Sequence, residues 1–208
     1  LVASSIYEVD MKVKNEVRKR STLLIAAGVF LGLGLGGFID GILLHQILQW
    51  HHMISNIQPP TTISNINLNM VWDGLFHALD WTFTVIGVIL LWEAGKQHDG
   101  TWSLQTFMGS RLMGSGLFNL VEGLIDHQIL GIHHVKPGTN ELAWDLGFLA
   151  LATLLIITGW IMIGKIIIQE SGVRMFKKLV NDKIGIFTVS LKKLSAYGCS
   201  HSVPLGVS

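Results

Sequence analysis

The chain has 208 residues, of which 50% are hydrophobic and 14% are charged, with a formal net charge of +1. Together with a positive mean hydropathy, that balance excludes an ordinary soluble domain, and no basic excess exists to hold nucleic acid. The single cysteine, Cys199, excludes an internal disulfide and a thiolate metal site.

Residues 1–21 hold Lys12, Lys14, Arg18, Lys19 and Arg20 and are expected to form a basic cytoplasmic segment. Met11 and a start upstream of it are equally good natural starts. Four segments are long and apolar enough to cross a hydrocarbon core, which takes roughly 20 helical residues. They are placed at Thr22–Trp50, Val71–Trp92, Leu104–Ile132 and Leu142–Gly164. The first is far longer than a signal-peptide core and runs on into polar residues, so it is expected to stay. Lys96 and Arg111 flank the middle loop and seven basic residues run from Lys165 to Lys193, whereas the two opposite loops hold only Lys136. Basic residues favour the cytoplasmic side, so both termini are predicted to lie inside. Residues 169–208 read as an amphipathic segment, with Val173, Phe176, Leu179 and Val180 recurring among lysines, followed by a disordered tail.

An internal repeat organises the middle of the chain. Residues 40–52 run from Asp40 through His45 and Gln46 to His51 and His52, and residues 122–134 run from Glu122 through His127 and Gln128 to His133 and His134. Trp72-Asp73 opens span two, and Trp144-Asp145 opens span four. The predicted fold is therefore an all-α integral membrane four-helix bundle of two repeated hairpins, 22–92 and 104–168 within a domain of 22–168, related by an axis along the membrane normal. Gly28, Gly32 and Gly36, and Gly109, Gly114, Gly116 and Gly123, mark spans one and three as the pair whose backbones approach most closely.

Carboxylates and imidazoles are unfavourable in a bilayer unless they have partners or a task. On a uniform helix Asp40 and His51 share one line and His45 and His52 another, and span two adds Asp73, His77 and Asp80 on a single face. Counting about 1.5 Å per residue puts His51, His52, His133, His134, Asp73 and Asp145 in an outer layer. On the same count His45, His127, His77 and Asp80 lie roughly 10 Å deeper, with Asp40 and Glu122 deeper still. Imidazole and carboxylate are the ligand set for iron, copper(II), zinc and manganese, and bundles build such sites between facing helices. His45, His51, His52, Asp73, His77, Asp80, His127, His133, His134 and Asp145 are the candidate metal ligands. Asp40 and Glu122 are candidate catalytic acids that could relay protons. Each polar residue alone has a plainer role as an interhelical hydrogen bond or a solvated pair; the matched set is what points to a site.

These boxes, Asp-Gly-x-x-x-His-Gln-x-Leu-x-x-His-His and Trp-Asp-Gly-x-Phe-His, resemble those of a bacterial family of predicted four-span membrane proteins, domain-of-unknown-function family 2243, over roughly residues 22–165. The resemblance implies the four-span fold and supplies no reaction. The second copy departs from the first in Glu122 and in Leu149, which stands where span two has His77, so a strictly symmetric two-metal site is in doubt. Membrane desaturases share only a general histidine-box chemistry, with different spacing. The favoured expectation is a membrane metalloprotein of the bacterial plasma membrane carrying a transition metal (iron, copper or zinc) and acting as an oxidoreductase on a lipid-soluble or small substrate. The alternatives are copper or zinc delivery at the outer face, and a haem held by His45 and His127.

Overall fold

The computed structural model describes residues 2–96 and 103–164, with side chains at Met11 and from Ser21 onward within those ranges. The expected amphipathic segment and tail lie outside the described residues. α1 runs from Val2 to Ile39 and passes without a break into a π-helical turn, Asp40–Ile47. α2 spans Ile63–Gly95, α3 spans Leu104–Glu122 with its own π-helical turn at Gly123–Ile129, and α4 covers Glu141–Gly164.

The local chemistry sets where the helices begin. Thr62 is extended at φ −125° and its hydroxyl accepts the Asn65 N–H at 3.2 Å, which starts α2 eight residues before the Val71 boundary expected from hydropathy. Ser103 caps α3 in the same way through Thr106 N–H at 3.1 Å. Beyond each π turn the chain reverses through a left-handed residue, Gln49 at φ 49° in the first copy and Gly131 at φ 57° in the second.

α1 packs along both α2 and α3, and α4 packs on α3, where Gly109 and Gly159 face one another. A Cβ on Gly32 would overlap the backbone of Arg111 and Ser115, and one on Gly114 would overlap Val29. The expected close approach of spans one and three is therefore present, with the Ser115 hydroxyl donating to the Gly32 carbonyl at 2.9 Å. α1 meets α2 through Gly34 against Thr84, Gly37 against Asp80 and Gly41 against His77. The corresponding contacts of α3 with α4 are Gly116 against Ala152 and Ile156, and Gly123 against Phe148 and Leu149.

Large apolar side chains such as Ile39, Trp81, Trp92 and Trp160 face outward, while Asp40, His45, Asn69, Asp80 and His133 are buried. That inversion of the usual soluble pattern fits a chain solvated by lipid. Three helical stretches, Ser21–Ile47, Ile63–Gly95 and Glu141–Gly164, are long and apolar enough to cross a membrane. α3 with its π turn carries Arg111, Glu122 and Asp126 and is more polar than those three.

Candidate metal centre

The two π turns build the site. In an α-helix, residues five apart diverge by about 140°, but a π turn bonds i to i+5 and brings them onto one face. Leu48 N–H reaches the Leu43 carbonyl at 2.8 Å and Leu130 N–H reaches that of Ile125 at 2.7 Å, both in this wide pattern. As a result His45 Nε2 lies 3.2 Å from Asp40 Oδ2, and His127 Nε2 lies 2.9 Å from Glu122 Oε1. The uniform-helix reading, which aligned Asp40 with His51 and His45 with His52, is corrected by this change of pitch.

The layer assignment is corrected as well. The first helical stretch ends at Ile47, so helical rise cannot be counted on to His52; the chain folds back instead. His45 Nδ1 is 3.0 Å from Asp73 Oδ1, and His52 Nδ1 is 2.7 Å from Asp73 Oδ2. One carboxylate thus joins two histidines that the sequence placed at different depths. Met53 N–H and the Gln46 side chain also donate to Asp73, at 2.9 and 3.4 Å. Asp145 repeats the arrangement: His134 Nδ1 at 2.7 Å, His127 Nδ1 at 3.6 Å, Val135 N–H at 3.0 Å and Gln128 at 3.3 Å.

The adjacent histidines of each His-His pair part company. His52 and His134 stay part-exposed beside their aspartates, whereas His51 and His133 turn inward and are fully buried. Their rings stack at 4.6 Å with an interplanar angle of 6°. His51 Nδ1 donates to the Val135 carbonyl at 2.8 Å, and His133 Nδ1 donates to that of Met53 at 2.9 Å. A carbonyl can only accept, so both contacts fix the proton on Nδ1 and leave Nε2 to face the interior. Burial, with the His133 and His45 rings alongside, pushes the His51 imidazole down to about 2, so this ring is neutral.

Two groups of possible ligand atoms result, each with its atoms within 4.8 Å of one another: His45, His51 and His133, and Glu122, His127 and His133. His133 belongs to both. His133 Nε2 is 3.0 Å from Glu122 Oε1. His51 Nε2, Asp40 Oδ1 and Glu122 Oε2 are buried without a hydrogen-bond partner, and His45 Nε2 and His127 Nε2 meet only the carboxylates of Asp40 and Glu122. So many orphaned donors and acceptors at one point need an explanation, and an ion is one. Burial and donor chemistry both fit a transition metal.

His77 and Asp80 lie outside both groups. Asp80 is completely buried, its two oxygens lack hydrogen-bond partners, and His77 Nδ1 is 3.6 Å away. The His77 ring is held between Phe38 and Phe76, each at a centroid distance of 5.8 Å.

Sequence reasoning missed the backbone carbonyls of Met53 and Val135, which no residue type announces. It also missed Asn69, whose amide donates to the Gln58 carbonyl at 2.8 Å and whose oxygen accepts Ile54 N–H at 3.3 Å, pinning the longer first loop over the site. A mixed cleft of about 650 Å³, lined by Gln46, Gln49, His51, His52, Ser55 and Asn56 together with apolar residues such as Ile66 and Met70, reaches this end of the bundle. An apolar cavity of about 340 Å³ reaches Asp40 from the side.

A protein-family model described as Predicted membrane protein (DUF2243) matches residues 27–166, and the chain belongs to that family. No curated protein and no solved structure matches it.

Proposed function

For a member of this membrane protein family, we propose a metalloprotein of the bacterial plasma membrane, built as two hairpins with four crossings and both termini inside. Its centre holds a transition metal (iron, copper or zinc) through His45, His51, His127 and His133, with Asp40 and Glu122 completing the set. The observation that carries this reading is the shared orientation of the rings: Nδ1 of His45 and His51 contacts a carboxylate or carbonyl, as does Nδ1 of His133, while Nε2 faces the interior. Metal-bound histidines are held in this way. In His133 the Nδ1–H donates to the carbonyl of Met53, so Nε2 and Glu122 Oε1, 3.0 Å apart, are two acceptors that would both hold a bound cation.

The catalytic form of the proposal is an oxidoreductase acting on a lipid-soluble or small substrate. A bound iron or copper would supply one-electron chemistry that imidazole and carboxylate lack. Asp73 and Asp145 orient His45 and His134, and their remaining contacts to Met53 and Val135 N–H tie the two chain reversals to the helices. Asp40 through Oδ1 and Glu122 through Oε2, the oxygens without partners, would hold and pass protons.

A second reading, metal capture and delivery, is favoured by the mixed cleft lined by His51 and His52. The full-length chain purified in detergent from cells supplied with iron, copper and zinc tests both through elemental analysis and visible spectra. The proposal expects bound metal that survives purification, and its loss in His133→Ala with the fold intact by gel filtration. Metal that exchanges freely with a chelator supports delivery. A metal-free wild type overturns both, and a Soret band replaces them with haem. Orientation is checked separately: Thr61→Cys should react with an impermeant thiol reagent added outside, and Lys96→Cys should not.

A further inference from the structure

The two sides of the bundle are not equally filled. Between α1 and α4 lies the cavity of about 340 Å³, bounded by Gly36 and Leu44 on one wall and Gly147, Phe148 and Leu151 on the other, with Asp40 and Asn119 in its lining. Its size falls at the lower end of small-molecule sites. Aligning the two sequence copies puts Phe118 where α1 has Gly36, and Leu75 where α4 has Gly147. Phe118 is buried, with its ring 5.7 Å from Phe76, the counterpart of Phe148. The Phe118 ring therefore occupies, on the α2–α3 side, space that Gly36 leaves open between α1 and α4, while Leu75, at the position of Gly147, lies exposed on the outer surface.

We propose that this lateral cavity binds a lipid-soluble molecule with a long apolar chain and an uncharged hydroxyl head, the head lying at Asp40. The inference deepens the metalloprotein reading, on which it rests for what becomes of the bound head group. Ile39, Leu43 and Leu151 are lining residues exposed on the surface that lipid covers, so a chain can enter from the bilayer. Trp50 and Trp144 close the end nearest the histidines, their rings 5.3 Å apart and Lys136 Nζ over both at 4.7 and 5.2 Å.

The polar atoms define the head. Asp40 is 3% exposed; its Oδ1 has no hydrogen-bond partner and its Oδ2 meets only His45 Nε2, at 3.2 Å, and Asn119 Oδ1 is buried and unpartnered as well. Acceptors without donors call for a donor on the ligand. A carboxylate head offers only acceptors and no donor to Asp40 or Asn119. An ammonium head would bring a buried charge and three donors to a site whose open acceptors are Asp40 Oδ1 and Asn119 Oδ1. A hydroxyl donates one hydrogen bond to Asp40 Oδ1 or Asn119 Oδ1 without adding a charge.

The test uses the full chain in phosphatidylcholine nanodiscs and a dodecanol carrying a photoreactive diazirine in mid-chain, with adducts mapped by mass spectrometry. Adducts are expected on the peptides containing Gly36–Leu44 and Trp144–Leu151, and dodecanol should compete at about tenfold lower concentration than dodecyl methyl ether, which lacks the donor. Gly147→Leu, at a position where an added Cβ meets nothing within 4 Å, reproduces the Leu75 side and should abolish those adducts. Leu151→Trp should do the same. Adducts spread evenly over the lipid-facing surface, or unchanged in Gly147→Leu, overturn the cavity as a binding site. Equal competition by the ether, or stronger competition by dodecylamine or dodecanoate, overturns the hydroxyl assignment. Elemental analysis of the same samples separates the readings: adducts on a metal-free wild type uphold the cavity and reject the metal centre, whereas metal without localised adducts does the reverse.

Discussion

In the half made by α1 and α2, Asp73 gathers His45, His52, Gln46 and the Met53 N–H; in the half made by α3 and α4, Asp145 gathers His127, His134, Gln128 and the Val135 N–H. Each half also lends a carbonyl to the other's inward histidine. Deeper in the bundle the likeness ends. Asp80 and His77 correspond to Ala152 and Leu149, Gly37 to Asn119, and Gly36 and Gly147 to Phe118 and Leu75. The contacts that shape the histidine cluster recur, and the residues that shape the space around it do not. Such a division is expected if the cluster performs one task using both halves while only one flank admits a ligand.

The sharpest way to break the comparison is His133→Ala. This residue belongs to both ligand groups and His51 to one, so His133→Ala should remove all bound metal and His51→Ala only part of it, read as metal per chain. Equal losses would mean that the centre is symmetric after all.

Next in size is the central helix crossing. Gly32→Leu drives a side chain into the backbone of α3, whereas Gly74→Leu meets nothing within 4 Å. The first should lower stability by about 3 kcal/mol or prevent folding, and the second should leave the melting temperature in detergent unchanged.

Asp73→Ala and Asp145→Ala compare the two halves directly. Losing a carboxylate that orients a metal-bound histidine weakens metal affinity by about 10- to 100-fold. Asp73 hydrogen-bonds the proposed ligand His45, whereas Asp145 hydrogen-bonds His134 and stands 3.6 Å from His127, so titration with a competing chelator should give the larger shift for Asp73→Ala. A shift in only one would locate the metal in that half.

The smallest effect concerns the chain reversals. Gln49 holds φ 49° where its counterpart is Gly131 at φ 57°, and a residue with a Cβ is strained there. Gln49→Gly should raise stability by up to about 1 kcal/mol, and Gly131→Gln should lower it by a similar amount, both measured by thermal unfolding.

Much of this was legible in the sequence because it depends on composition and spacing. The apolar runs identify helices, the glycines four apart mark the crossing of α1 with α3, and the repeated carboxylate and histidines mark where the polar interior lies. All of those signals survive any change of local pitch. The depths did not survive, since they assumed a helix continuing to His52. His51 and His52 are identical as letters, and only a folded chain can send one inward to a carbonyl of the other half and the other back to Asp73.

The sequence by itself determined the helical membrane class and pointed to the buried polar residues, of which His45, His51, Glu122, His127 and His133 come together while His77 and Asp80 stand apart, because hydrophobicity and residue type are properties of single positions and their intervals. Tertiary structure alone decided which nitrogen of each histidine faces inward, which carboxylates support rings and which stand unpartnered, and which flank of the bundle stays open. Those outcomes depend on a π turn that realigns residues five apart, a left-handed reversal that ends each helix, and contacts between segments some eighty residues distant, such as His51 with Val135. None of the three is written in the spacing of the letters, since each is settled by which backbone groups find partners when the two halves close on one another.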